Sequence, residues 1–328
     1  MVVDWEVDIV SFLQAFGPFA GQTAAEFSRG LFAGGDAPGF SNVIDYIDIV
    51  TTGNALDFGD LTVARDQQAP SGCSSTTRGC FGGGGSSTGR TNVIDYVTIA
   101  TTGNATDFGD LVVNRGEPGG FSNSTRGIWG GGFGTDAPGG FDLASIDYIT
   151  IATTGNATNF GNLTLGRRGS AGCASPTRGT FSGGYNPNTA QRVNNIDYIT
   201  IATTGNATDF GDLSGNRINP AACSSSTRGV ICGGETGGTI FGNIDYITIA
   251  SAGNATNFGN LVTVRRGHGG TSSQVRGVFG AGITTGSTRI KSVEYLTIAS
   301  TGNAASFGDL TTNRNGLGAV SSNHGGLA

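Results

Sequence analysis

Apolar and polar positions along the chain follow a pattern that returns about every fifty residues. In residues 94–111, IDYVTIATTGNATDFGDL, the first nine positions are rich in β-branched and aromatic side chains. That composition predicts a strand. Gly103-Asn104 follows, and both residue types accept positive φ, as a two-residue hairpin turn demands. Folding about that dipeptide sets Thr102 opposite Ala105, Ile99 opposite Phe108 and Tyr96 opposite Leu111. The large pairs then fall on apolar partners, so a hairpin in that register is expected. The other copies keep the same spacing: Ile49/Phe58, Ile151/Phe160, Ile201/Phe210, Ile249/Phe258 and Ile298/Phe307.

The phrase is written six times, beginning at Ile44, Ile94, Ile146, Ile196, Ile244 and, in a divergent form, Val293, with spacings of 50, 52, 50, 48 and 49 residues. A fixed period means one supersecondary unit copied along or around an axis. A second block precedes each copy: TRGCFGGGG at Thr77, TRGIWGGGF at Thr125, TRGTFSGGY at Thr177, TRGVICGGE at Thr227, with variants at Ser28 and Val275. Before it lies a run of small residues, such as CSSTT at 73–77. The unit reads as a small-residue strand, a tight turn at Arg-Gly, an apolar strand, a diglycine and the hairpin. That makes four short strands per repeat, with the small side chains nearest an axis and the diglycine where backbones approach closely. Segments 85–91, 135–144 and 186–194 differ most and are expected to be exposed loops. The fold class is therefore all-β, a six-bladed propeller of about four short antiparallel strands per blade over residues 21–328.

Length permits two domains, but six blades fill the chain as one. Glycine makes up 59 of 328 residues and falls in repeat turns rather than in scattered low complexity. Only 13 % of residues are charged, the net charge is −6, and Lys291 is the sole lysine among 18 basic residues. No basic stripe is present for a nucleic-acid partner. No apolar run is long enough for a transmembrane helix, so membrane insertion is not expected. The start, MVVDWEVDIVSFLQAF, is acidic and lacks the basic region of a signal peptide.

Residues 1–20 fall outside the repeat and carry a dense apolar set that includes Trp5, Val10, Leu13 and Phe16. One reading packs this arm on the propeller; the other makes it a docking arm for a neighbouring protein. At the other end, GAVSSNHGGLA (318–328) reads as the first strand of a further copy, placed to complete the first blade and close the ring.

Two sets of arginines recur: Arg29, Arg78, Arg126, Arg178, Arg228 and Arg276 at the Arg-Gly site, and Arg65, Arg115, Arg167, Arg217, Arg265 and Arg314 after each FGDL-type block. Carboxylates recur at Asp45, Asp95, Asp147, Asp197, Asp245 and Glu294. The functional reading of the first set is a ring of guanidinium groups that binds a phosphate, sulfate or glycan carboxylate. The architectural reading, which repetition in every blade favours, ties neighbouring blades by Arg–carboxylate or Arg–carbonyl bonds. Five cysteines, of which Cys73, Cys173 and Cys223 are equivalent, read as small buried filler. Pairing of Cys73 with Cys80 or of Cys223 with Cys232 is the other reading. Asp57/Asp60, Asp107/Asp110 and Asp209/Asp212 suggest calcium, but Asn159/Asn162 and Asn257/Asn260 replace both acids in two copies. Asn104, Asn156, Asn206 and Asn254 head formal glycosylation triplets that the hairpin turn already explains. Two histidines, His268 and His324, supply no metal set, and no asymmetric catalytic constellation is present. No catalytic residue, metal or cofactor is expected.

The unit resembles the kelch repeat: a hydrophobic strand ending in diglycine (Gly34-Gly35, Gly82-Gly83, Gly130-Gly131, Gly183-Gly184, Gly233-Gly234), then a tyrosine strand (Tyr46, Tyr96, Tyr148, Tyr198, Tyr246, Tyr295), an aromatic residue and an arginine opening the next blade. Phenylalanines stand where kelch repeats have tryptophan, and Gly280-Ala281 stands in the last copy, which makes the resemblance divergent. Kelch-like propellers serve as binding platforms, scaffolds and occasionally enzymes, so this resemblance implies fold rather than function. The phrase IDYITIATTGNATDFGDL, over about half the residues, is similar to repeats in structural proteins of tailed marine and cyanobacterial bacteriophages. That implies a non-enzymatic virion protein of the tail, adsorption apparatus or capsid surface. Its partners would be other virion proteins and a host surface glycan or protein. The alternative is a cellular carbohydrate- or protein-binding propeller.

Overall fold

The computed structural model describes residues 28–66, 72–134 and 141–327. The expected arm, with Trp5, Val10, Leu13 and Phe16, lies outside the described residues. Within them the protein is all-β, built from six four-stranded antiparallel sheets of the kind that form propeller blades. The second sheet runs Gly72–Ser74, Arg78–Gly82, Val93–Thr98 and Thr106–Asp110, in sequence order from one edge to the other. The third (Gly119–Ser122 to Thr158–Asn162), fourth (Ala171–Ala174 to Thr208–Asp212), fifth (Ala221–Ser224 to Thr256–Asn260) and sixth (Gly269–Ser272 to Ala305–Asp309) repeat that order. The first sheet differs. Its strands Arg29–Ala33, Ser41–Asp48 and Leu56–Arg65 come from the start of the described chain, and its fourth, Gly318–Ser321, comes from the end, with Leu31 opposite Val320.

Apolar side chains form six clusters, each shared by two sheets. Phe108, Leu111 and Ile94 of the second sheet meet Trp129, Ile149 and Ile151 of the third. The series ends with Val278, Val293 and Phe307 of the sixth sheet against Phe32, Ile47 and Ala319 of the first. A small sheet cannot bury both faces alone, so each uses its neighbours as cover. The first strands carry Gly, Ala, Ser and Cys because they crowd together. Ser74 Oγ donates to Ser321 O, Ser321 Oγ to Ser272 O, Ser272 Oγ to Ser224 O, Ser224 Oγ to Ala174 O, and Ser122 Oγ to Ser74 O, at 2.6–2.8 Å.

Four local expectations are corrected. The third and fourth strands do form a hairpin, but Tyr96 pairs with Thr106 and Asp95 with Asp107, not Tyr96 with Leu111. Residues 99–105 form a longer excursion, and Gly103-Asn104 is not a two-residue turn. Gly103 N donates to Phe58 O and Ala105 N to Asp60 O, while the Asn104 side chain accepts from Asp60 N at 3.0 Å. The dipeptide therefore binds the preceding sheet. Tertiary pairing overrode a local turn preference. In the hairpin, Phe108 falls at a bulge between Asp107 and Gly109, and its ring enters the core between sheets.

The Arg-Gly dipeptide is not the turn either. The turn precedes it, with Ser75 N donating to Arg78 O, and Arg78 opens the second strand. Its glycine is needed for space. A Cβ on Gly229 would lie 2.6 Å from Cys173 Sγ, and one on Gly179 would overlap the Phe121 ring. Gly34-Gly35, Gly183-Gly184 and Gly233-Gly234 have positive φ as the sequence pattern places them, whereas in the second and third sheets the positive-φ pairs are Gly83-Gly84 and Gly131-Gly132, one residue later, and Ala281-Gly282 fills that place in the sixth sheet. A Cβ on Gly83 would lie 2.7 Å from Arg115 O, so close approach is part of its role. Of the variable segments, 85–91 and 186–194 lie in short two-stranded ribbons, Gly85–Ser86 with Gly89–Arg90 and Tyr185–Asn186 with Gln191–Arg192, with exposed tips, and residues 135–140 of the third lie outside the described residues.

Candidate functional site

Six first strands converge on a cavity of about 50 Å³, lined by Ser74, Ser122, Cys173, Ser224, Ser272 and Ser321 among others. His324 stands at this cavity. Its Nδ1 accepts from Gly326 N at 3.1 Å, so Nε2 carries the proton and donates to Ser74 O at 3.2 Å. Burial pulls the imidazole down to about 4, against the Ser74 carbonyl, which pulls it up. The ring is therefore neutral near pH 7 and acts as a tie rather than a base. The turn Gly325–Leu327 continues across the first strands, and a Cβ on either Gly325 or Gly326 would strike the backbone of Ser225 or Ser122. Gln274 Nε2 donates to His324 O at 2.7 Å. The sequence marked this segment as a strand; only the contacts reveal its second role.

Arg29, Arg78, Arg126, Arg178, Arg228 and Arg276 do not face this cavity as free cations. Each lies over the tyrosine of its own repeat at 4.3–4.8 Å. Each Nη1 also donates to a carbonyl of the next sheet, at Ile99, Ile151, Ile201, Ile249, Ile298 and Ile49 respectively. The last of these joins the sixth sheet to the first.

The second arginine set is fully buried and pairs with the recurring carboxylates. Arg65–Asp95, Arg115–Asp147, Arg217–Asp245 and Arg314–Asp45 lie at 2.7–2.9 Å, Arg167–Asp197 at 3.4 Å, and Arg265 contacts Glu294. Burial pulls the Arg65 guanidinium down and pushes the Asp95 carboxyl up, while each partner's charge opposes the shift. Arg65 also donates to Val93 O and Phe81 O, and Asp95 accepts from Thr62. Such hydrogen bonds are what make a buried ion pair tolerable.

All five cysteines are free and buried. Cys73 and Cys80 sit opposite each other, whereas Cys223 faces Val230 and Cys232 faces Ala221. Sequence spacing did not suggest that His268 Nε2 and Cys232 Sγ meet at 3.3 Å. Burial holds that imidazole well below and that thiol well above their usual ranges. Neither is ionised near pH 7, so the pair lacks the thiolate a nucleophile needs. Among the described residues, no group of three or more His, Cys, Asp or Glu converges as a metal site.

The formal glycosylation asparagines have a common structural task. Asn104, Asn156, Asn206 and Asn254 accept from the backbone N–H of Asp60, Asp110, Asn162 and Asp212, and Asn54 and Asn303 do the same for Asp309 and Asn260. Comparison of the whole chain with family models and with curated proteins finds no match.

Proposed function

We propose that this chain is a closed six-bladed, kelch-like propeller that serves as a non-enzymatic structural protein of a tailed phage particle, in the tail, adsorption apparatus or capsid surface. One observation carries the architectural part. The contacts joining each sheet to the next, an Arg–carboxylate pair and an Arg–carbonyl bond, also join the sixth to the first through Arg314–Asp45 and Arg276–Ile49. The recurring charges thus hold the wall together. The virion setting rests on the likeness of the IDYITIATTGNATDFGDL repeat to phage structural proteins. In that setting Trp5, Val10, Leu13 and Phe16 dock to another virion protein, and the exposed face meets the host.

Two measurements test this. Averaged electron micrographs of the purified chain should show a six-lobed disc; an open arc would overturn the ring. Antibodies against the chain should label tailed particles purified from the biological source, and its peptides should co-purify with them. Recovery only in the cellular fraction would overturn the virion assignment.

A further inference from the structure

The segment between the third and fourth strands is exposed and yet almost the same in every copy. Residues 101–106, 153–158 and 203–208 all read TTGNAT. Other exposed segments of the same repeats, such as 85–91, 186–194 and 235–241, share no sequence. The repeats have therefore diverged where the surface is free to vary. Gly103 and Asn104 are explained by their bonds to the preceding sheet. Thr102, Thr154 and Thr204 are not: they are exposed, and their hydroxyls meet no partner among the described residues.

These threonines border a groove. In the fourth sheet it measures about 360 Å³ and is lined by Tyr198, Thr200, Thr203, Thr204, Asn206 and Thr208. The equivalent groove of the second sheet, about 200 Å³, has Tyr96, Thr98, Thr101, Thr102, Asn104 and Thr106. The third repeat carries the same residues at Tyr148, Thr150, Thr153, Thr154, Asn156 and Thr158. In the first repeat Asp48 and Leu56, in the fifth Ser251 and Ala252, and in the sixth Ser300 and Ala305 replace two of these threonines. No charged side chain is among the lining residues of either groove, and Arg78 and Arg178, which lie over Tyr96 and Tyr198, already donate from Nη1 to carbonyls of the next sheet. There is no deep apolar socket of the kind that anchors a protein partner. Hydroxyls, an amide, threonine methyls and a tyrosine edge instead match the alternating hydroxyl and C–H surfaces of a neutral sugar.

We infer that these grooves are subsites for a neutral saccharide, with the second, third and fourth repeats complete and the other three weakened. Each shallow groove binds weakly alone. Several on one rigid body bind a repeating glycan tightly by raising the effective concentration at the next site. The inference deepens the proposed host contact and takes only its setting from that reading.

The test uses the labelled full-length chain on an array of immobilised neutral, sialylated and sulfated glycans, with the strongest neutral hit repeated in solution by calorimetry. Neutral glycans should bind. The triple variant T102A/T154A/T204A should weaken binding at least about tenfold with an unchanged melting temperature. Should that variant melt early, Y96F/Y148F/Y198F, which keeps the rings, takes its place with the same expectation. Three results would each overturn the inference: no neutral glycan bound, preference for sulfated or sialylated chains, or undiminished binding by a folded variant. A blank array with the chain present in particles would remove this inference and leave the virion reading. Neutral-glycan binding with the chain absent from particles would do the reverse.

Discussion

Arg314 donates from Nη2 to Asp45 Oδ2 at 2.8 Å across 269 residues of chain, with both side chains fully buried. This bond joins the last repeat to the first in the way Arg65 and Asp95 join the first to the second. Removing one partner strands a buried charge, so Arg314→Met or Asp45→Asn should each cost about 3–5 kcal/mol in denaturant unfolding. The double variant should cost less than the two losses summed. Strict additivity would mean that the pair does not couple the repeats.

The strand Gly318–Ser321 is paired with Arg29–Ala33 and carries Val320 into the cluster with Phe81 and Ile99. Deleting residues 317–328 exposes the edge of Arg29–Ala33 and uncovers that cluster. The expected result is a lower melting temperature with aggregation on heating. Equal stability of truncated and full chains would contradict the pairing.

Gly179 and Gly215 form an internal control. A Cβ on Gly179 meets the Phe121 ring, whereas one on Gly215 meets nothing within 4 Å. Gly179→Ala should destabilise by roughly 1–3 kcal/mol through overpacking. Gly215→Ala should be neutral or stabilising by up to about 1 kcal/mol, because it restricts the unfolded chain. Similar melts for the two variants would refute the close approach.

Asn104 acts through its side-chain oxygen on Asp60 N. Asn104→Ala should cost about 0.5–1.5 kcal/mol, and Asn104→Asp, which keeps the acceptor, should cost less. The positive φ expected of a hairpin asparagine is absent, since Asn104 is not among the residues in that region. If Asp proves as costly as Ala, the acceptor is not what matters.

His324 gives the stability a pH dependence. Its imidazole sits at about 4 in the folded protein, below the ordinary value of 6.5, because burial disfavours the cation. Between those values the unfolded chain holds the proton and the folded chain does not. Stability is then full above about pH 6.5 and falls as the pH drops toward 4, by roughly 1–3 kcal/mol. Unfolding free energies of the native chain and of His324→Gln, measured from pH 7.5 to 4.5, should converge as the pH falls. Parallel curves would show that folding does not lower the His324 imidazole.

The six-fold period, the all-β class and the four strands per unit were legible in the chain alone. β-branched alternation, Gly-rich punctuation and the copy of each phrase are local and periodic signals. The C-terminal strand was legible too, because GAVSS repeats the composition of the other first strands. The roles of individual residues were not. Gly103-Asn104 has the chemistry of a hairpin turn, but its partner is Asp60, 44 residues away, in another sheet. The glycine of Arg78-Gly79 looks like a turn residue and is instead a place where Val320 presses on the backbone. Asp95 and Arg65 are both repeat letters; that they meet at 2.7 Å depends on how two sheets stack. Local composition fixes which element forms. Which face of it meets a neighbour depends on contacts between residues far apart in the chain, and only the tertiary packing decides those.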